Sequence, residues 1–160
     1  MSGKADFSVD EWDLLRSSPL MASMLVVAAS PSGPVGLVQE SSATAKTILQ
    51  SVATAQTSLL KALSEDVTQT MAIPKPPPGA TPGQVQEAAA EILRRTSALL
   101  TTKATPEETA EIKGWLAKVA QATAEAAKEG GFLGFGGASV SDQEKAALAM
   151  LNAALGLGTV

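Results

Sequence analysis

Residues 104–129 read ATPEETAEIKGWLAKVAQATAEAAKE, and this stretch decides the fold class. Thr105 precedes Pro106, and Glu108 stands three residues after Thr105. That is a capping box, in which the hydroxyl accepts the N–H of the third helical residue and the carboxylate accepts the N–H of the cap. Pro106 suits the first helical position, where its missing N–H would have no partner anyway. Beyond it, Ile112, Trp115, Leu116, Val119, Ala122 and Ala126 recur mostly at steps of three and four, the period of an amphipathic helix. The spacing predicts a helix from about Pro106 to Glu129.

The same punctuation opens three further runs: Ser8-Val9-Asp10-Glu11, Thr81-Pro82-Gly83-Gln84 and Ser141-Asp142-Gln143-Glu144. Each stands before an apolar periodic segment. The second predicts a helix from about Pro82 to Leu100, pointing Val85, Ala89, Ile92, Leu93, Leu99 and Leu100 inward. It makes an αα-hairpin with the helix that follows. The third predicts a helix from about Asp142 to Leu155, stopped by Gly156. The first predicts a short helix that ends near Ser17-Ser18-Pro19, because proline inside a helix removes a hydrogen bond and clashes with the preceding turn. Phe7 and Trp12 flank its start as a hydrophobic staple.

Pro19 to Ala29 is apolar nearly all round, which predicts a buried central helix. After Ser30-Pro31-Ser32-Gly33-Pro34, the pattern predicts one long helix from about Val35 to Thr70. Its expected inward stripe is Val38, Ala45, Ile48, Leu49, Val52, Ala55, Leu59, Leu63 and Val67. The opposite face, from Ser41 to Ser64, is almost wholly Ser, Thr and Gln, with Lys46 and Lys61 its only charges. Exposed helices usually carry more charge. Ser41, Thr44, Thr47, Ser51, Thr54 and Ser58 therefore form a candidate self-association face, or else a Ser/Thr-rich solvent face. Pro74-Lys75-Pro76-Pro77-Pro78-Gly79 ends the helix as a stiff extended crossover. The expected organisation is one helical domain over residues 1–160, with an N-terminal half (1–73), a Pro-rich crossover (74–80) and a C-terminal half (81–160). The expected fold is an all-α bundle of five to six helices with a central apolar helix and one long helix.

Composition narrows the function. The 160 residues contain no His, no Cys and no Tyr, and the net charge is −4. Without those side chains there is no imidazole or thiol nucleophile, no Ser–His–Asp relay and no histidine or thiolate metal site. Glu87/Glu91 and Glu107/Glu111 pair at i,i+4, but a di-metal carboxylate bundle also needs His. They read as solvated faces and first-turn acids. Basic residues adjoin only at Arg94-Arg95, and no aromatic platform for nucleic acid accompanies them. Leu20 to Ala29 is about half the length of a membrane span. Acids at Asp6, Asp10 and Glu11 do not suit a secretion signal. These features lead to the expectation of a soluble cytoplasmic protein of a bacterium, with no cofactor and no metal.

Gly130-Gly131-Phe132-Leu133-Gly134-Phe135-Gly136-Gly137 holds five of the chain's thirteen Gly and two of its three Phe. Two readings stay open. The segment is a wide turn that tucks Phe132 and Phe135 into the core, or Phe132, Leu133 and Phe135 contact a partner, a lipid or another apolar small molecule. Trp12 is a further candidate contact, against its reading as a staple. Met21, Met24, Met71 and Met150 read as gap-fillers.

The opening Phe7-Ser8-Val9-Asp10-Glu11-Trp12, with Ser30-Pro31-Ser32-Gly33-Pro34 behind it, resembles the N-terminal part of a group of small bacterial all-helical proteins of no assigned activity. The segment Glu129–Gly137, with Val140-Ser141 and Glu144–Leu148, resembles the C-terminal part of the same group. Together they span about a sixth of the chain. The resemblance implies a helical fold and brings no activity, cofactor or residue role. The expected function is that of a non-enzymatic structural or interaction protein, which self-associates as a homo-oligomer or docks on a larger complex through helical faces. The alternative is a small helical binding module for a lipid or other apolar ligand.

Overall fold

A computed structural model describes residues 2–29, 33–70, 78–129 and 140–158. Over these the chain is an all-α bundle of six helices: α1 (Val9–Ala29), α2 (Gly33–Thr54), α3 (Ser58–Thr70), α4 (Pro82–Lys103), α5 (Pro106–Glu129) and α6 (Asp142–Leu155). A single 3-10 turn at Lys4–Asp6 precedes them, and there is no strand among the described residues.

All four capping boxes form. The Ser8 N–H donates to Glu11 Oε2 at 2.8 Å while the Glu11 N–H donates to Ser8 Oγ at 3.3 Å. Thr81 and Gln84 exchange the same pair of bonds at 2.9 and 3.3 Å, Thr105 and Glu108 at 2.9 and 3.2 Å, and Ser141 and Glu144 at 2.8 and 3.2 Å. At the other end of α6, Gly156 takes φ 67° and the Leu157 N–H returns to the Asn152 carbonyl at 2.8 Å. That left-handed turn is why glycine stands there.

Two expected boundaries are wrong. The stop expected at Ser17-Ser18-Pro19 does not occur, and α1 runs through it as one helix. Pro19 has no N–H to give to the Leu15 carbonyl, but the Ser18 hydroxyl donates to that carbonyl at 2.6 Å. Ser18 and Leu15 are both fully buried, so this bond satisfies an acceptor that water cannot reach. The proline ring is itself buried in the bundle, which favours keeping the helix intact around it.

The single long helix expected over Val35–Thr70 is two helices, α2 and α3, parted at Ala55-Gln56-Thr57. The cause lies far away in sequence. Glu111 of α5 accepts the N–H of Gln56 on Oε1, and the N–H of Thr57, at 3.0 Å, together with the Thr57 hydroxyl on Oε2. Thr57 Oγ1 in turn accepts the Leu60 N–H at 3.2 Å. This is a capping box whose acid comes from another helix. It gives the first amides of α3 better partners than a continuous helix would leave them.

α1 is the central element and packs against α2, α3, α4, α5 and α6, most extensively against α4. Leu15, Ala22 and Leu25 on it are completely buried. At its start, Phe7 and Trp12 meet with ring centroids 6.0 Å apart, and the Trp12 indole N–H donates to Asp66 of α3. Lys4 binds the same carboxylate at 3.0 Å.

Candidate functional site

The orientation of α2 is the unexpected part of the fold. Its hydroxyl face points inward. Thr44, Thr47 and Ser51 are 3, 7 and 5 % exposed. Thr44 Oγ1 lies 2.8 Å from Ser23 Oγ of α1 and 3.0 Å from Thr123 Oγ1 of α5, and the 3.2 Å between the Thr123 and Ser23 oxygens closes the triangle. Thr44 and Thr123 also donate to the carbonyls of Glu40 and Val119 in their own helices, each at 2.9 Å. With those two protons given to carbonyls, Ser23 is the hydroxyl left to donate within the triangle, and the three polar groups are partnered where water is absent. Small side chains allow α2, α1 and α5 to approach closely at that point.

Of the six residues read as a candidate self-association face, three are therefore inside the protomer. Ser41 is half-buried, and Thr54 and Ser58 are exposed. Trp12, the candidate aromatic contact, is only 4 % exposed and belongs to the core. Phe132, Leu133 and Phe135 lie outside the described residues, as do Met71 and most of the Pro-rich crossover.

With the hydroxyls inside, part of the apolar stripe must face out. Ile48 is buried as expected, but Val38 is 65 % and Leu49 52 % exposed, contrary to their expected inward placement. Steps of four, three, four and four join Val38, Ser42, Ala45, Leu49 and Ala53 into one row along the outer side of α2. Val52 borders it. Ala45 and Val52 are half-buried, and Ser42 and Ala53 are exposed. Lys46, also exposed, is the one charge beside the row. The outer face of α4 is different: there Arg94 binds Glu87 and, at 3.0 Å, Glu91. The two carboxylate pairs read as solvated faces are thus divided, since Glu87 and Glu91 sit on Arg94 while Glu111 caps α3.

Several carboxylates are tied up in the scaffold. Glu11 is held below the ordinary carboxyl range by its hydrogen bond from Lys103 and by the Ser8 amide. Asp66 is lowered by the Trp12 indole and by Lys4. Burial works to raise Glu108, but the amides of Thr105 and Ser2 and the Ser2 hydroxyl outweigh it and lower the group. A general acid at neutral pH needs the opposite shift. No cluster of three or more Asp and Glu suited to a metal ion exists among the described residues. No described helix is long and apolar enough to cross a membrane.

Two shallow clefts lie near the start of α3, the first of them lined by Glu111. One, of about 180 Å³, is bordered by Thr47, Ser51, Thr54, Trp115 and Lys118, and the other, of about 390 Å³, by Gln56, Thr57, Thr105 and Glu107. Both mix polar and apolar lining, with Leu60 and Trp115 on the first and Pro106 on the second. Thr47, Ser51 and Thr54 already donate their hydroxyl protons to helix carbonyls, so they offer the first cleft only acceptors.

No family model matches this chain, and no curated protein or solved structure does. Residue roles therefore rest on the geometry alone. Among the described residues the large apolar side chains left exposed are Val9 at the start of α1 and Val38 and Leu49, the last two on the outer row of α2. The periodicity of the sequence finds Val38 and Leu49 of that row but places them on the inner side. The signal that could have corrected it is the absence of charge on both faces of the helix between Ser41 and Ala53, apart from Lys46.

Proposed function

We propose that this chain is a non-enzymatic interaction protein, working in the cytoplasm, that docks through the outer face of α2. The observation that carries the reading is the 65 and 52 % exposure of Val38 and Leu49 on a row with only Lys46 beside it. A solvent face ordinarily carries charged side chains, and two large exposed apolar residues on one face with a single charge beside them favour a contact surface. The missing His, Cys and Tyr and the downward-shifted carboxylates support a role other than catalysis. For the alternative of an apolar small-molecule site, the loop assigned to it lies outside the described residues, and the two described clefts are shallow.

The test is a photo-crosslinking residue placed at Leu49, with an exposed α6 position, Gln143, as the control. Irradiation in the cells that make the protein is expected to give a discrete protein adduct from position 49 and none from position 143. Lys46 stays in place, so loss of charge cannot account for the adduct. No adduct from position 49, or equal adducts from both, would end the proposal.

A further inference from the structure

We infer that the first cleft binds a small zwitterion whose ammonium and carboxylate stand at opposite ends of an apolar body, that is, an ω-amino acid. The inference goes beyond the docking reading and does not depend on it. The cleft lies between α2 and α5, with Leu60 of α3 against it. Thr44 meets Thr123 and Thr57 meets Glu111, so α2 and α5 run antiparallel. On α5, Glu111, Gly114, Trp115 and Lys118 share the face that borders the cleft. Glu111 and Lys118 are two turns apart, roughly 10 Å along the axis. An acid thus stands at one end of the cleft, beside Thr54, and a base at the other, beside Thr47.

Neither charge is balanced among the described residues. Lys4, Arg16, Arg94, Lys103 and Lys145 hold ion pairs there, whereas Glu111 and Lys118 do not. Glu111 accepts its hydrogen bonds from Gln56 and Thr57, which are neutral donors, so its negative charge stays uncompensated and one lone-pair position stays open. Thr54 at the same end offers only an acceptor, because its hydroxyl proton goes to the Gln50 carbonyl. Acceptors around an uncompensated carboxylate suit an ammonium. At the other end Thr47 likewise only accepts, and Lys118 is the group that draws a carboxylate.

The middle is apolar and held open. Leu60 and Trp115 border it, and the buried Trp115 indole N–H has no partner among the described residues. Gly114 stands in the interior of α5, where glycine costs helix stability relative to alanine. Neither a positive φ nor a close neighbour requires it, since a Cβ there would meet nothing within 4 Å. The missing side chain leaves room in the cleft instead. A cleft of about 180 Å³ is smaller than the ~300–1,000 Å³ of sites for drug-sized ligands, so its occupant is small.

The probe is ε-aminocaproate, followed by amide and indole chemical shifts of the unmodified chain. Saturable shifts centred on Gly114, the Trp115 indole and Lys118 are expected, with a Kd on the order of 1 mM for so small a ligand. Norleucine is an isomer with adjacent charges, and hexylamine and hexanoate carry one charge each. All three are expected to bind roughly tenfold more weakly or worse. Gly114→Ala is expected to raise the melting midpoint by about 2–4 °C while weakening the probe by roughly tenfold. Those opposed responses separate loss of the site from loss of the fold. Lys118→Gln is expected to keep the midpoint and to bring ε-aminocaproate down to the affinity of hexylamine.

No saturable shift at ~20 mM probe, well above the expected Kd, would overturn the inference. So would norleucine or hexylamine binding as tightly as ε-aminocaproate, since charge separation would then not be what the cleft reads. A Gly114→Ala chain that binds the probe unchanged would overturn it as well. Leu49 does not border the cleft, so the photo-crosslinking result and this titration fail or succeed independently.

Discussion

Thr44→Val removes one hydroxyl from the triangle that holds α2 face-inward, while keeping the side chain's volume. Thr44 sits 2.8 Å from Ser23 and 3.0 Å from Thr123, and these three residues are 3, 8 and 0 % exposed respectively. After the change Ser23 retains one neighbour, Thr123, at 3.2 Å. A buried polar group that loses its partner costs about 1–3 kcal/mol. Since each remaining hydroxyl still has the other, the lower half of that range applies, about 1.5 kcal/mol. The same reasoning gives a similar cost for Ser23→Ala or Thr123→Val alone.

The informative variant is the triple, Ser23→Ala/Thr44→Val/Thr123→Val. Summed singles would give about 4–5 kcal/mol, but removing all the partners together leaves nothing unsatisfied, so the expected loss is below about 1 kcal/mol. In a chain of 160 residues the single change lowers the midpoint by about 3–6 °C and the triple by less than about 4 °C. Urea and thermal unfolding followed by circular dichroism measures both. Three additive single costs in the triple variant would show that the hydroxyls act independently. The account of why α2 turns its Ser/Thr side inward would then be wrong.

Three further changes test the scaffold. Ser18→Ala strips the donor from the Leu15 carbonyl and is expected to cost about 1–3 kcal/mol. In a Pro19→Ala background, where residue 19 regains its N–H, the same change is expected to cost less than half as much, and equal costs in a double-mutant cycle would refute the repair. Glu111→Ala removes the acceptor from Gln56 and Thr57 and is expected to destabilise the chain by about 1–3 kcal/mol. Amide exchange is expected to quicken first at Leu60 and Lys61, and unchanged protection there would mean that α3 starts without its help. Asp66 has a lowered folded carboxyl, so the stability it brings is complete above its unfolded value of 3.8 and is lost as pH falls through the folded one. Asp66→Asn is expected to flatten the acid limb of a stability–pH curve and leave the neutral region's slope unchanged; an acid limb as steep as before would count against it.

These elements differ in where their causes lie. The four capping boxes were legible because each is complete within four consecutive residues, and Gly156 was legible because a left-handed stop needs glycine whatever surrounds it. The passage of α1 through Pro19 was half legible. Ser18 was visible in the sequence, but only the burial of the proline ring makes an unbroken helix the better answer there. The break between α2 and α3 was hidden because the acid of its capping box stands at Glu111, more than fifty residues from Thr57. Gln56-Thr57-Ser58 carries hydroxyls suited to a cap, yet Leu60 occupies the place where a local box would have its acid.

The facing of α2 was hidden for a deeper reason. Periodicity identifies two faces of a helix, and assigning one to the core presumes that the other prefers water. A Ser/Thr face that finds hydroxyl partners prefers the interior nearly as well as a small aliphatic one, because each hydroxyl brings its own hydrogen bond with it. Ser23 and Thr123 supply those partners from helices that no local pattern connects to Thr44. Once that face is sealed, the remaining apolar row has no place in the protomer. An outward Val38 and Leu49 then follow from the burial of Thr44, Thr47 and Ser51, and the proposed docking face is the other side of the same packing decision.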